Sequence, residues 1–305
     1  MTLARLDLNL LVALDALLRR RSVTRAAAEM GLSQPALSAS LGRLRRHFDD
    51  DLLTRVGNEY RLTPLALQLE PLVRVALAGA EQVFEARSGF DPATSSREFS
   101  LLISDYAVTV LGDTIAGILA AEAPEARLRL AGNVPSAVDH ADRSLLMTDL
   151  LIMPHGFLTG MPHTDLYRDE WVCLIASGAA AAQNGLSADD LRELPWVMSY
   201  HGPTASTPAA RQMRMLGIEP RVQVITESFL TVPALVAGTD RVALLQRRLV
   251  DLLPLNAGVR AVPCPFEVSP LIEAMWWHPV HDEDPEHQYL RDVVRRAVDL
   301  AVTPD

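Results

Sequence analysis

The sequence predicts a multidomain α/β protein with three parts in order: a small helical head ending in a hairpin, one long apolar helix, and a larger body of alternating strands and helices. Three observations carry that prediction. The chain has 305 residues, 49% of them hydrophobic, which is more than one ordinary core uses. Apolar residues recur at helical spacing near the N-terminus, and beyond residue 97 they fall into short strand-like runs separated by helical stretches. Charge divides in the same place. Residues 1–62 hold ten arginines and seven carboxylates, a net of +3, whereas the remaining 243 residues hold 18 arginines and 31 acids, a net of −13. A basic head on an acidic body suits a chain in which one domain faces phosphates and the other does not.

The elements follow from residue chemistry. Leu10, Leu14, Leu17 and Leu18 repeat at helical spacing, and Arg19-Arg20-Arg21 ends that helix with cations near the negative end of its dipole. Ser22 or Thr24 is placed to cap a short second helix, Thr24 to Met30, which Gly31 stops. Ser33 is a good cap for a third helix running to His47, with Pro35 in its first turn and Leu37, Leu41 and Leu44 as its inward face. After the acidic turn Asp49-Asp50-Asp51, Leu52–Arg55 and Tyr60–Leu62 read as strands around a Gly57-Asn58 turn. Pro64 starts a long helix to Ala86 whose stripe of Leu65, Leu69, Leu72, Val73, Leu77, Ala80 and Phe84 needs a partner. A second copy of the chain is the simplest one, and Pro71 is a candidate kink. Residues 89–96, rich in Ser, Gly and Pro, read as a hinge.

Two short helices meeting at a glycine turn, with a hairpin after them, are the parts of a winged helix-turn-helix. The third helix can enter a major groove because its leucine face is anchored and its outer arc is small and polar. On that arc lie Pro35, Ser38, Ala39, Gly42 and Arg46, with Gln34 at the tip. Gln34 can pair with adenine, Ser38 with a base or phosphate, and Arg43, Arg46 and the wing residue Arg55 with phosphates or a narrow minor groove. Thr24 and Ser33, at the starts of the two helices, complete the candidates. An ordinary solvated bundle would show the same residues.

The stretch Ala26–Ser38 closely resembles the N-terminal signature of LysR-type transcriptional regulators, as do Ser22–Arg25, Leu52–Arg55 and Leu62–Pro64. The resemblance covers the whole chain. It implies a winged helix-turn-helix over 1–62, a linker and dimerisation helix over 63–88, a hinge over 89–96, and a two-lobed periplasmic-binding-protein-like effector domain over 97–305. Lobe I would take 97–168 and 270–305, and lobe II 169–269. It also implies that Gln34, Pro35, Ser38 and Arg55 contact DNA, and that the partners are double-stranded promoter DNA, a small effector and further copies of the chain as homodimer or homotetramer. Many members carry Thr-x-Ala-Gly where this chain has Thr63-Pro64-Leu65-Ala66. That variant, with Met275–Pro279 and Asp284–His287, is similar to the branch of regulators of aromatic catabolism and nodulation genes.

In the body, strands are expected at Phe99–Ile103, Arg127–Ala131, Asp149–Met153, Trp171–Ala176, Trp196–Tyr200, Arg221–Thr226, Arg241–Leu245 and Ile272–His278, mostly in parallel sheets. Ligands of two-lobed α/β folds sit near strand ends and helix starts. Ser104, Asp105 and Tyr106 end the first strand, His155 another, Tyr200, His201 and Thr204 a third, and Phe229 a fourth. An aromatic acid or phenolic compound suits such a set. Ser104 and Ser206 also fit as helix caps, the aromatics as core, and the histidines as solvated loop residues.

The apolar run at the N-terminus carries Asp7, Asn9 and Asp15 without a small-residue cleavage site, so it does not read as a signal peptide. With only Cys173 and Cys264, the former in an apolar strand, a reducing cytoplasm is expected. No run reaches membrane-spanning length. His278, His281, Asp282, Asp284 and His287 cluster in sequence, but Pro279 breaks any helical pairing and Asp284-Pro285 reads as the start of the last helix. No metal, cofactor or catalytic constellation is expected. The alternatives to an effector-responsive regulator are a regulator responding only to its own concentration and a solute-binding protein.

Overall fold

The computed structural model describes residues 7–56, 59–85, 90–179, 185–200, 206–253 and 258–302. The Gly57-Asn58 turn and the candidates His201 and Thr204 lie outside them. Two compact units, Met1–Ser88 and Gly89–Asp305, divide the chain.

In the first unit, helices α1 (Asn9–Arg20), α2 (Val23–Glu29) and α3 (Gln34–Phe48) precede strands β1 (Leu53–Val56) and β2 (Glu59–Leu62) and helix α4 (Pro64–Glu85). Ser22 Oγ accepts from Arg25 N–H and Ser33 Oγ from Ala36 N–H, so each hydroxyl satisfies one of the donors a helix start leaves open. Arg21 ends α1 in the left-handed region at φ 48°. Leu14, Leu17 and Leu18 of α1, Ala26 of α2, Leu37, Leu41 and Leu44 of α3, and Ala66 and Val73 of α4 form one core. β1 and β2 pair antiparallel, Leu53 opposite Leu62.

A polar knot joins hairpin to long helix. Buried Leu52 is held at φ 58°, a left-handed backbone that bulky residues rarely adopt. Asp50 Oδ1 accepts from Leu52 N–H at 2.6 Å and from the Thr63 hydroxyl at 2.6 Å. Thr63 Oγ1 accepts in turn from Ala66 N–H at 3.1 Å, capping α4. Thr63-Pro64 is therefore a helix start in which hydroxyl and proline occupy adjacent cap and first-turn positions. Pro71 lies inside α4, and Leu67 and Leu72 are exposed on it.

Among the described residues the second unit contains three sheets, of five, three and two strands. The first has the order β4-β3-β5-β12-β6, from Arg127–Ala131, Glu98–Ile103, Leu150–Pro154, Leu271–Trp276 and His163–Asp169. β3 runs parallel to β4 and β5, but β12 is antiparallel to both neighbours. In the second sheet, β7 (Trp171–Ala176) lies between β10 (Ala243–Gln246) and β11 (Val259–Pro263), antiparallel to each. β8 (Pro195–Ser199) and β9 (Arg221–Thr226) pair parallel, and Trp196 bridges to Val242 beside β10. The expectation of largely parallel sheets is thus corrected: the five-stranded sheet is mixed, the three-stranded one antiparallel, and the β8–β9 pair parallel. The two strands absent from the sequence reading, β6 and β11, are both antiparallel. β6 carries His163, Asp165 and Asp169 and lacks a continuous apolar run, so periodicity did not reveal it.

Trp196 is fully buried, its indole N–H donating to Leu191 O at 2.8 Å. The last helix, Pro285–Ala301, starts on Asp284, whose carboxylate accepts from Glu286 and His287 N–H. His281 and His287 stack at 4.9 Å, and both imidazole nitrogens of His287 are engaged, by Asp149 O and by Arg291. Burial holds the His287 imidazole down to about 4. Cys173 and Cys264 are thiols with sulfurs 3.8 Å apart. No described helix is long and apolar enough to cross a membrane.

Thr63→Ala removes the cap of α4 and one bond from the carboxylate that holds Leu52. It should cost the first unit about 1–2 kcal/mol, read as an earlier transition in urea. Thr63→Ser should restore most of the loss, and equal stability of wild type and Thr63→Ala would show that the knot contributes nothing.

Candidate nucleic-acid interface and ligand cleft

The outer face of α3 is open. Gln34, Pro35, Ser38, Ala39 and Arg46 are exposed, while Leu37, Leu41 and Leu44 anchor the opposite face. Ser33 is exposed and spends its hydroxyl on the cap described above. Thr24 is exposed in the first turn of α2, where Ser22 is the cap. Arg43 lies beside Asp7, with Nη1 3.0 Å from the carboxylate, so its charge is partly neutralised within the unit. Arg45 donates to Asp51 O and Leu53 O, which makes it a brace between α3 and the hairpin. Arg55 is exposed on β1.

A basic flank was not singled out from the sequence. Arg19, Arg20, Arg21, Arg25 and Arg61 gather with Ser22 and Tyr60 around one concavity. Arg19 pairs with Asp15 and Glu29, and Arg20 with Glu29. Arg21, Arg25 and Arg61 are exposed and form no salt bridge among the described residues. Their separation along the chain hid them, because the α1–α2 corner meets β2 only in three dimensions.

In the second unit a cleft encloses about 650 Å³, open solvent at its mouth included. Ser104 and Tyr106 from the end of β3, Tyr200 from the end of β8, and Phe229 after β9 line it. Ser104 Oγ also accepts from Ala107 N–H. The Phe229 ring lies 6.3 Å from that of Tyr106 and 5.4 Å from that of Tyr200. Tyr200 sits at φ 56°, a conformation costly for a bulky residue, and donates its N–H to Thr226 O.

Two candidates have other work. Asp105 does not line the cleft: its carboxylate accepts from Ser228 Oγ at 2.7 Å and from Phe229 and Leu230 N–H, each at 3.1 Å. It therefore ties the first sheet's helix start to the segment that carries Phe229. His155 is also outside the cleft, and its Nε2 lies 2.6 Å from Asp165. The Arg211 guanidinium, not itself a lining residue, stacks on the ring of the lining residue Phe157 at 4.4 Å.

The sequence reading missed the polar wall residues Asn133, Asp139, Trp171, Thr207, Gln246 and Glu273. Asn133 Oδ1, Trp171 Nε1, Gln246 Oε1 and Glu273 Oε1 are all buried without a hydrogen-bond partner. Leaving such an atom unpaired costs about 1–3 kcal/mol. Glu273 is 1% exposed. Burial, with the nearby Asp169 charge adding to it, pushes its carboxyl up to about 8, so at neutral pH it is mostly the neutral acid. Burial likewise raises Asp169, opposed by the Tyr106 hydroxyl and two backbone N–H donors. The available signal was a lone acid inside the apolar run Leu271–Trp277. Among the described lining residues there is no arginine, lysine or histidine.

Residues 8–67 match the bacterial regulatory helix-turn-helix protein family, lysR family, and residues 148–299 match the LysR substrate binding domain. A nodulation protein D 2 of Rhizobium tropici is 33% identical over 98% of this chain and 95% of its own length. A probable transcriptional regulator from Pseudomonas aeruginosa, PA0477, is similar in structure with TM-score 0.66 and 26% identity, over 96% of this chain and 98% of that one. Full-length CbnR in complex with its target DNA shares the fold, with TM-score 0.63 and 15% identity, over 96% of this chain and all of that one.

The Glu273 carboxyl gives a pH test. Its folded value lies above the ordinary glutamate value of 4.5. Its contribution to stability is therefore fully present below the unfolded value and is lost as pH rises through about 8. Glu273→Gln should flatten the decline in stability between those limits, measured by urea unfolding at several pH values. Parallel curves for both proteins would place the charge elsewhere.

Proposed function

The chain belongs to the LysR family of bacterial regulatory helix-turn-helix proteins, and from that footing we propose how this transcription regulator reads DNA and what chemistry its effector carries. It is a regulator and not an enzyme, and regulators of this family bind promoter DNA and small effectors and form oligomers. Residues 1–62 are the DNA-binding head, 63–88 the self-association helix, 89–96 the hinge and 97–305 the effector domain, acting in the cytoplasm. The open outer face of α3 carries the DNA reading. Gln34 and Ser38 address base edges, while Arg46, the wing residue Arg55 and the flank of Arg21, Arg25 and Arg61 address phosphates.

The effector is a neutral aromatic compound bearing hydroxyl groups, and the four unpaired polar atoms in aromatic walls support that reading. A hydroxyl both donates and accepts, so it can satisfy acceptors such as Asn133 Oδ1 and Gln246 Oε1 as well as the Trp171 donor. A carboxylate would find no arginine, lysine or histidine among the described lining residues to receive it. Ligand binding biases the regulator by favouring one arrangement of the sheets across the cleft, through the Asp105 bonds to residues 228–230.

Two measurements check these assignments. Arg55→Ala should weaken binding to the chain's own promoter region and lower the salt slope by about one; an unchanged slope removes Arg55 from the phosphate contacts. In thermal-shift screening, neutral phenols should raise Tm and benzoates should not. Glu273→Leu should abolish the shift while Glu273→Gln keeps it. Stabilisation by benzoates alone would overturn the neutral-effector assignment.

A further inference from the structure

We propose that His155, His163 and Asp165 form a binding site for a divalent first-row transition ion of the Zn²⁺ type, separate from the effector cleft. One donor atom from each side chain lies within 4.8 Å of the others. The chain brings them together through strand register. β6 pairs with β12 so that His163 lies opposite Trp276 and Asp165 opposite Ala274, and an irregularity between Glu273 and Ala274 sets Tyr167 opposite Glu273. His163 and Asp165 share a face by ordinary alternation, and the extra residue Leu166 after them turns Tyr167 to the other side, into the core. His155 follows the end of β5, its N–H donating to Ile272 O. The Trp276 ring packs against both imidazoles, 5.1 Å from His155 and 4.5 Å from His163.

The donor set and its outer partner both suit such an ion. Two imidazoles and one carboxylate select a borderline cation over Mg²⁺ or Ca²⁺, which take oxygen ligands. His163 Nδ1 lies 3.2 Å from Met161 O, and a carbonyl only accepts, so Nδ1 holds the proton and Nε2 keeps its lone pair. A metal-binding histidine is commonly oriented by this kind of backbone carbonyl bond. His155 Nε2 and Asp165 Oδ1 lie 2.6 Å apart, a hydrogen-bond contact that an ion can replace. Tetrahedral zinc with bonds near 2.0–2.1 Å spaces its ligands roughly 3.3 Å apart, within a small side-chain adjustment of what is found. With His155 at 36% and Asp165 at 62% side-chain exposure, water can fill the fourth position.

The test is calorimetric titration of the tag-free, EDTA-treated full chain with Zn²⁺, with the visible spectrum of the Co²⁺ form as a second readout. One equivalent should bind. His163→Ala and Asp165→Asn should each weaken it by at least the roughly tenfold typical of losing even an outer-shell partner, and should change the Co²⁺ spectrum. His140→Ala, at an exposed histidine outside the set, should leave both unchanged. Absence of stoichiometric binding, or equal affinity in wild type and His163→Ala, overturns the site. Circular dichroism of each variant confirms that the fold is intact, and the phenol response is scored separately, so failure here leaves the effector reading standing.

Discussion

Where the chain leaves the first sheet of the C-terminal unit for the second, it buries a carboxylate. Asp169 ends β6, and the single residue Glu170 separates it from β7. Out of water, that group must find its hydrogen bonds within the protein or lose its charge. It accepts from the Tyr106 hydroxyl at 2.6 Å, from Glu170 N–H at 2.7 Å and from Arg248 N–H at the start of the helix after β10. Three segments far apart in the chain meet on one side chain. Tyr106 is thereby fixed in the cleft wall, and the neighbouring Glu273 feels a second acid close by, which reinforces its neutral state. The polar character of the cleft follows from how this crossover is satisfied.

The N-terminal unit solves a smaller version of the same problem. Seven-residue α2 and the short hairpin bury little area alone. Their leucine core is closed by Asp50 and Thr63, which hold a strained Leu52 and start α4 in one stroke. With its inner face committed to that core, α3 is left with an outer arc of small and polar residues. Rigid anchoring on one side and small side chains on the other are what groove entry demands.

Much of this was legible. Ser33, Pro35 and the 37/41/44 leucines define α3 from its own sequence, and Asp284-Pro285 defines the start of the last helix. Ser104, Tyr106, Tyr200 and Phe229 were placed near a site because strand ends gather in α/β folds. Asp105 and His155 sit at equally suitable strand ends, yet one serves as a tie between segments and the other faces Asp165. Position along a strand says which edge a residue reaches. It does not say which neighbour reaches it first.

By itself the sequence determined the helices of the head, their caps, the basic-to-acidic division and the resemblance that identifies the family, because each of these depends on neighbours a few residues apart. The tertiary structure alone decided the antiparallel strands β6 and β11, the arginine flank, the unpaired Asn133, Trp171, Gln246 and Glu273 in the cleft, and the grouping of His155 with His163 and Asp165. Those features are set by strand order and by register, where one extra residue reverses which face a side chain occupies, and neither is written in any local run of residues.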